Sequence, residues 1–289
     1  LKEVETGHVQ LQDFMISIPT SDNKGSISYK GMELFTQFPE GCFWRPPTDN
    51  DGVKQGWMSE ISGVRRKWIQ EGLNQLDIKR DITYTETLAK KRYLQIKSEY
   101  QGANAKATHT SIIWAEDNLI NFHETFHIPD EWYDLPRVGM RFEIAAKYSN
   151  LEWFGRGPLE SYPDRCNSQL ISKWKSTVEN QYHPYVVPQE NGAHQDTKWF
   201  SLISHQGDQL KFNIVDASSF SASSMHDTDL SKSVTISQLK PRTTTEVHVD
   251  AAIRGLGTGA CGPDTLEEFR LTSGTYEMGW SIEVLSAIH

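Results

Sequence analysis

Ile120-Asn121-Phe122-His123-Glu124-Thr125-Phe126-His127-Ile128-Pro129 admits two readings, and the choice between them decides the fold. His123-Glu124-Thr125-Phe126-His127 matches the H-E-x-x-H pattern of zinc proteases. That chemistry requires a helix, on which residues four apart stand about 5–6 Å from each other. Here the apolar residues alternate instead. Ile120, Phe122, Phe126 and Ile128 fall on one side, and Asn121, His123, Thr125 and His127 on the other, which is the period of a half-buried strand. Thr125 is β-branched and Pro129 follows closely. On a strand rising ~3.4 Å per residue the two His lie roughly 13 Å apart, too far for one ion whose Zn–N bonds are ~2.0–2.1 Å. The stretch is expected to be a strand with two outward-facing His, and no metal site is expected.

The same period extends outward in both directions. In Tyr93–Tyr100, Leu94 and Ile96 share a face opposite Gln95, Lys97 and Glu99. Leu202–His205 and Leu210–Val215 flank Gln206-Gly207-Asp208-Gln209, a hairpin signal. Thr244–Val249 and Tyr276–Val284 read as further strands, with Ser273-Gly274 as a turn between the last two. One stretch reads as helix. Between Ser59 and Gly72, the residues Ile61, Val64, Trp68 and Ile69 form a helical stripe, with Ser59 as N-cap and Gly72 as stop. A short helix around Ser168 to Lys175 is left open. Many strands, one helix and long irregular connections predict an all-β fold of antiparallel sheets packed as a large sandwich. No repeat or linker divides the chain, so residues 1–289 are expected to form one domain, with 1–12 as linker from a preceding domain.

Gly257-x-Gly259-x-x-Gly262 matches the dinucleotide fingerprint. That motif needs a strand before it and a helix after it, so that the helix N-terminus meets the pyrophosphate. Pro263-Asp264 and a two-strand pattern follow, so a glycine-rich loop admitting close backbone approach is expected.

Composition excludes several classes. The 289 residues are 37% hydrophobic and carry a formal net charge of −9; a chain this long buries about three quarters of its unfolded surface without staples. Nucleic-acid binding needs clustered cations, whereas the densest basic runs, Arg65-Arg66-Lys67 and Lys90-Lys91-Arg92, are three long and read as solvated faces. Cys42, Cys166 and Cys261 are too few and too widely spaced for a disulfide framework. No apolar run approaches the ~18 residues of a membrane span, and no membrane partner is expected. The chain opens at Leu1 without a secretory signal. The expectation is a soluble fragment whose targeting signal lies elsewhere, with cytoplasm and periplasm both open.

Three segments carry more specific information. They are Phe43-Trp44-Arg45-Pro46-Pro47-Thr48-Asp49-Asn50-Asp51, Trp153-Phe154-Gly155-Arg156-Gly157-Pro158 continuing through Glu160-Ser161-Tyr162-Pro163-Asp164-Arg165, and Tyr185-Val186-Val187-Pro188-Gln189-Glu190-Asn191-Gly192. In the first, Asp49, Asn50 and Asp51 can cap local N–H groups, and Arg45 has carboxylates nearby for a charge-assisted turn. In the second, Tyr162 and Asp164 offer a hydroxyl and a carboxylate after a tight turn. In the third, Glu190 precedes the turn dipeptide Asn191-Gly192. Each reads either as architecture or as a ligand site.

With Gly255-Leu256-Gly257 and Cys261-Gly262-Pro263 in the same order, these segments resemble the C-terminal domain, the fifth and small-subunit-like one, of family 2 β-galactosidases, from about Phe14 to the end. The resemblance implies a supersandwich like galactose mutarotase. It implies packing on a (β/α)₈ barrel that holds both catalytic carboxylates, fused or as a separate large subunit. It also implies a loop, here Gly255 to Asp264, that reaches the galactoside. Gly259, Ala260, Cys261 and Gly262 are thereby candidate substrate contacts. Some members present a Trp where this chain has Cys261, as others do; a thiol is a smaller, softer wall than an indole. No catalytic residue and no cofactor is expected in this chain, and its oligomeric state is left open. Two other functions stay open. One is a stand-alone aldose 1-epimerase using His183, His194 and Glu190 as acid and base; the other is a carbohydrate-binding module.

Overall fold

The computed structural model describes residues 2–3, 7–20, 23–54, 63–86, 92–257, 259 and 263–285. The chain opens with strands β1 (Lys2–Glu3), β2 (His8–Leu11), β3 (Phe14–Ser17), β4 (Ser26–Tyr29), β5 (Met32–Phe35) and β6 (Gln37–Cys42). Helix α1 (Arg65–Gln70) precedes four long strands, β7 (Asp77–Glu86), β8 (Arg92–Gln101), β9 (Lys106–Glu116) and β10 (Leu119–Ile128). Next come β11 (Arg137–Ala145), β12 (Asn150–Gly157), β13 (Leu170–Thr177) and β14 (His194–Gln195). Strands β15 (Trp199–Ile203), β16 (Gln209–Val215) and β17 (Ser219–Ser223) lead to helix α2 (Asp227–Lys232), then β18 (Thr244–Ile253) and β19 (Gly274–Leu285).

The strands form a ten-stranded sheet (β1-β7-β8-β9-β10-β19-β16-β15-β12-β13), a five-stranded sheet (β14-β17-β18-β11-β6) and a four-stranded sheet (β2-β3-β4-β5). The pairings are antiparallel. A ladder of rings locks the two larger sheets together. Phe142 of β11 stacks on Trp280 of β19 at 5.2 Å and on Phe212 of β16 at 5.7 Å. Phe200 of β15 then stacks on Phe212 at 4.4 Å and on Phe220 of β17 at 4.2 Å. All five rings are buried; large flat side chains contribute most of a core's apolar burial and add stacking energy.

The deciding stretch is a strand. In β10 the side chains of Ile120, Phe122, Phe126 and Ile128 are buried and those of His123 and His127 exposed. Glu124 turns inward with the apolar set. Its Oε2 lies 2.7 Å from His109 Nε2 and its Oε1 accepts the Trp280 indole N–H at 3.0 Å.

Several expectations are corrected. Residues 170–175 belong to β13, not to a helix. The segment is mostly exposed and has no strong period of its own, so its eight-residue pairing with β12 decides its form. Ser273-Gly274 does not join two hairpin strands. Between β18 and β19 lie a single helical turn (Glu267–Phe269) and a bridge from Leu271 to Leu135, and β18 and β19 sit in different sheets. A turn dipeptide encodes a local reversal, whereas a strand's partner is set by distant packing. Within the stretch 1–12 read as linker, β1 pairs with β7, β2 pairs with β3, and Val9 and Leu11 join the core. Helix α1 spans only Arg65–Gln70 and buries Trp68 while Ile69 is exposed. Gly72 ends it with φ of +77°, as expected, while the supposed N-cap Ser59 lies outside the described residues.

Candidate functional site

The segment after β6 is folded around Asp51. Its Oδ2 accepts the Thr48 N–H at 2.9 Å and the Thr48 hydroxyl at 3.1 Å. Arg45 then donates to both Asp51 oxygens at 2.8 and 3.0 Å, with both side chains wholly buried. Two buried opposite charges hold only where geometry is good and remaining polar atoms are paired. The two terminal nitrogens of Arg45 also reach the end of β18, where they donate to the carbonyls of Arg254 and, at 3.1 Å, of Gly255, while its Nε is buried without a partner among the described residues.

Arg254 continues the lattice. It donates to Asp134 at 2.6 Å and to both oxygens of Asp264 at 2.8 and 2.9 Å, and it stands 3.4 Å from Asp51. Arg254 and Asp264 are the two stems of the glycine loop, so one guanidinium ties them together. Burial disfavours its charge, but the Asp134 hydrogen bond and the charges of Asp134, Asp51 and Asp264 outweigh that and hold the guanidinium protonated. From the second segment, Asp164 accepts the N–H groups of Leu256 and Gly257 at 3.0 and 2.6 Å and the Thr265 hydroxyl at 2.7 Å. Asn50 donates to the Leu256 carbonyl at 2.9 Å. This close approach explains the glycines. Gly257 has φ of +87° and a Cβ there would lie 2.6 Å from Asn50 Nδ2; a Cβ on Gly255 would lie 2.4 Å from the Thr265 hydroxyl.

The third segment closes the site. The Glu190 N–H donates to the Pro46 carbonyl at 3.1 Å, and Asp49 N–H donates to Gln189 Oε1 at 3.3 Å. Asn191 is a turn anchor: its amide donates to the Gln189 carbonyl at 2.8 Å and its Oδ1 accepts the His183 N–H at 3.1 Å. The three segments and the glycine loop thus enclose a cavity of about 190 Å³, with Asn50, Glu190, Leu256, Gly257 and Gly259 among its walls. Of the four loop residues expected to contact substrate, Gly259 is exposed, and Ala260, Cys261 and Gly262 lie outside the described residues.

Beneath this cavity sits a hub that no motif announced. Arg137 of β11 is fully buried and pairs with Glu190 at 2.9 Å, Asp227 at 3.2 Å and Asp250 at 3.1 Å. Glu190 also accepts the Tyr162 hydroxyl at 3.4 Å. Burial pushes the Glu190 carboxyl up to about 7, with Arg137 opposing the shift and Asp227 adding to it. Asp227 goes the other way, to about 2, because His248 and Arg137 outweigh its burial. The thiol of Cys42, the carboxylate of Asp227 and the imidazole of His248 come within 4.8 Å of one another, a donor set able to hold a metal. Arg137 already supplies the cation there, 3.2 Å from Asp227 Oδ2 and 3.0 Å from His248 Nδ1. Arg137 and Asp250 lie in apolar strands, whereas Glu190 sits in a turn segment and Asp227 opens α2. Nothing in spacing links positions 137, 190, 227 and 250.

The epimerase residues are not assembled. His194 is buried against Trp153, with Nδ1 on the Arg156 carbonyl at 3.1 Å and Nε2 on Gln181 at 2.8 Å, so both ring nitrogens are engaged. Burial lowers its pKa to about 4. His183 lines a separate cavity from the one bordered by Glu190. The carboxylates of Asp51, Asp164, Glu190 and Asp264 are held by cations, N–H groups and hydroxyls, an arrangement that braces the loop.

The family model described as Beta galactosidase small chain matches residues 13–282. A β-galactosidase of Kluyveromyces lactis is 30% identical over 263 residues, covering 85% of this chain and 24% of that protein. One from Streptococcus thermophilus is 27% identical over 288 residues, covering 96% of this chain and 27% of that protein. The chain therefore spans about a quarter of the length of the curated relatives it matches. Among solved structures, a protein of Escherichia coli K12 proposed to be an aldose 1-epimerase superposes with a TM-score of 0.52 at 8% identity, covering 97% of this chain and 98% of that one. A glycosyl hydrolase family 38 protein from Enterococcus faecalis gives 0.51 at 11% identity, covering 99% of this chain and 30% of that one. These two likenesses show the fold, a mutarotase-like antiparallel sandwich. Among the described residues, no helix is long and apolar enough to cross a membrane.

Proposed function

The chain belongs to the beta galactosidase small chain family, and from that premise we propose that it is the non-catalytic C-terminal domain of a β-galactosidase. It packs on a catalytic barrel, fused or separate, and its Gly255–Asp264 loop lines the entrance of the galactoside site. The observation that carries this reading is the bracing of that loop. Arg45, Asn50, Asp134 and Asp164, from three remote segments, bind its two stems, while Gly259 between them is exposed. Stems held this way pay no ordering entropy of their own at each encounter. In the assembled enzyme, the Cys261 thiol is the contact that an indole makes in some relatives. A (β/α)₈ barrel needs ~250 residues, too many to share this chain with a sandwich.

The test is direct. The chain alone should leave a chromogenic β-galactoside at buffer background, and mixing it with the barrel-bearing remainder of its enzyme should restore hydrolysis. Turnover by the chain alone, abolished by one Glu→Gln change within it, would overturn the reading.

A further inference from the structure

We propose that a second cleft, of about 340 Å³ and lined by Leu159, Glu160, Arg165, Tyr182, His183 and Tyr185, binds a neutral saccharide. The volume is within the range of small-molecule pockets, which run from roughly 300 to 1,000 Å³. The walls are the loop after β12 and the segment after β13, and they are built to hold shape. Leu159 N–H donates to Gln169 Oε1 at 3.2 Å, and Gly192 N–H donates to Glu160 Oε2 at 2.8 Å. Gly192 has φ of +79°, and a Cβ there would meet the Gln181 carbonyl at 2.8 Å.

The chemistry of the walls selects the ligand class. Glu160 and Arg165 pair at 2.5 Å and cancel each other's charge, so neither a phosphate nor a cation finds an unmatched partner in that pair. Two phenol rings and an imidazole remain, with the rings of His183 and Tyr185 edge to face at 4.4 Å. Such rings pack against the apolar C–H face of a pyranose; the Tyr185 hydroxyl already donates to Glu160 at 2.5 Å, which leaves the Tyr182 hydroxyl and the His183 ring to bond sugar hydroxyls. The Tyr182 hydroxyl oxygen is buried and has no hydrogen-bond partner among the described residues, a deficit that a ligand hydroxyl would meet. Arg165 and Tyr185 also border the smaller cavity beside Gly257, so the two cavities share a wall. The cleft is lined by residues of this chain, so binding there needs neither the barrel nor hydrolysis.

Lactose, galactose and galacturonate, titrated into the 289-residue chain and followed by saturation-transfer NMR, decide the matter. The expected result is millimolar binding of the two neutral sugars, with galacturonate weaker. Tyr182→Phe, which removes only the hydroxyl, should weaken binding about fivefold, the size of one hydrogen bond. Leu159→Trp, at a position 67% exposed on the cleft wall and therefore tolerant of change, should block it. The proposal fails if neither neutral sugar binds, or if galacturonate binds as well as they do. It also fails if Gly257→Ala abolishes binding while Tyr182→Phe and Leu159→Trp leave it unchanged, which would place the sugar in the smaller cavity.

Discussion

Asp164 Oδ2 accepts a 2.6 Å hydrogen bond from the backbone N–H of Gly257, joining a turn after β12 to a loop 93 positions later. The same oxygen takes the Thr265 hydroxyl at 2.7 Å, so one carboxylate holds the loop on both sides of its tip.

Replacing Asp164 with Ala orphans the Leu256 and Gly257 amides together. Leaving buried donors unpaired costs about 1–3 kcal/mol. Chemical denaturation should show a loss in that range with an unchanged slope, and the assembled enzyme should lose kcat/KM at temperatures where the domain is still folded.

Gly257→Ala tests the backbone itself. At φ of +87° an L residue is strained by about 1–2 kcal/mol, and the added carbon would push Asn50 off the Leu256 carbonyl. Gly7 has open space around it, and Gly7→Ala should stay within about 0.5 kcal/mol. Equal thermal shifts for the two variants would show that the loop is not held as described.

Arg137→Met removes the guanidinium that pairs with Glu190, Asp227 and Asp250. Breaking a buried ion pair from one side costs about 3–5 kcal/mol. The loss should be largest near neutral pH and smaller in acid, where protons neutralise the abandoned carboxylates.

Glu190 supplies a pH dependence of definite sign. Its carboxyl is raised in the fold from 4.5 to about 7, so the folded chain holds a proton that the unfolded chain releases between those values. This contribution to stability is complete below about pH 4.5 and is lost as pH rises through 7. Asp227 acts oppositely: lowered from 3.8 to about 2, it contributes above pH 4 and is lost in stronger acid. His194, lowered from 6.5 to about 4, acts against Glu190 over the same range, so the readout is the difference between two chains: relative to Glu190→Gln, the parent's denaturation midpoint should fall from mild acid toward neutrality. A parent-minus-variant difference that rises from pH 5 to 7 would contradict the assignment.

The H-E-x-x-H stretch offers a paired comparison. Replacing His123 and His127, both exposed, should change stability by less than about 0.5 kcal/mol and leave metal content unaltered. Glu124→Ala should cost several times more, because it strands the Trp280 indole N–H and the His109 ring nitrogen in the core.

Local sequence carried most of the strand content. Leu94, Ile96, Phe122 and Phe126 all face the core as their alternation required, and Leu202–Val215 forms the expected hairpin, with Ile203 opposite Gln209. It failed where local signals are weak: β13, exposed along most of its length, takes its form from β12, and the turn signal at Ser273-Gly274 does not reveal that β19 inserts between β10 and β16.

Within the site, Arg45 and Asp51 were readable as a pair because they are six positions apart in one turn. The loop's other contacts were not, since Asp134 and Asp164 reach it, at Arg254, Leu256 and Gly257, from other parts of the chain. Period and turn chemistry act over a few bonds, so the sequence by itself determined an antiparallel β fold and the segments that matter. Which charges meet depends on how the sheets stack and on the low-dielectric interior they enclose. Only the tertiary structure could therefore decide that Arg137 is the hub and that the glycine loop is clamped from three sides.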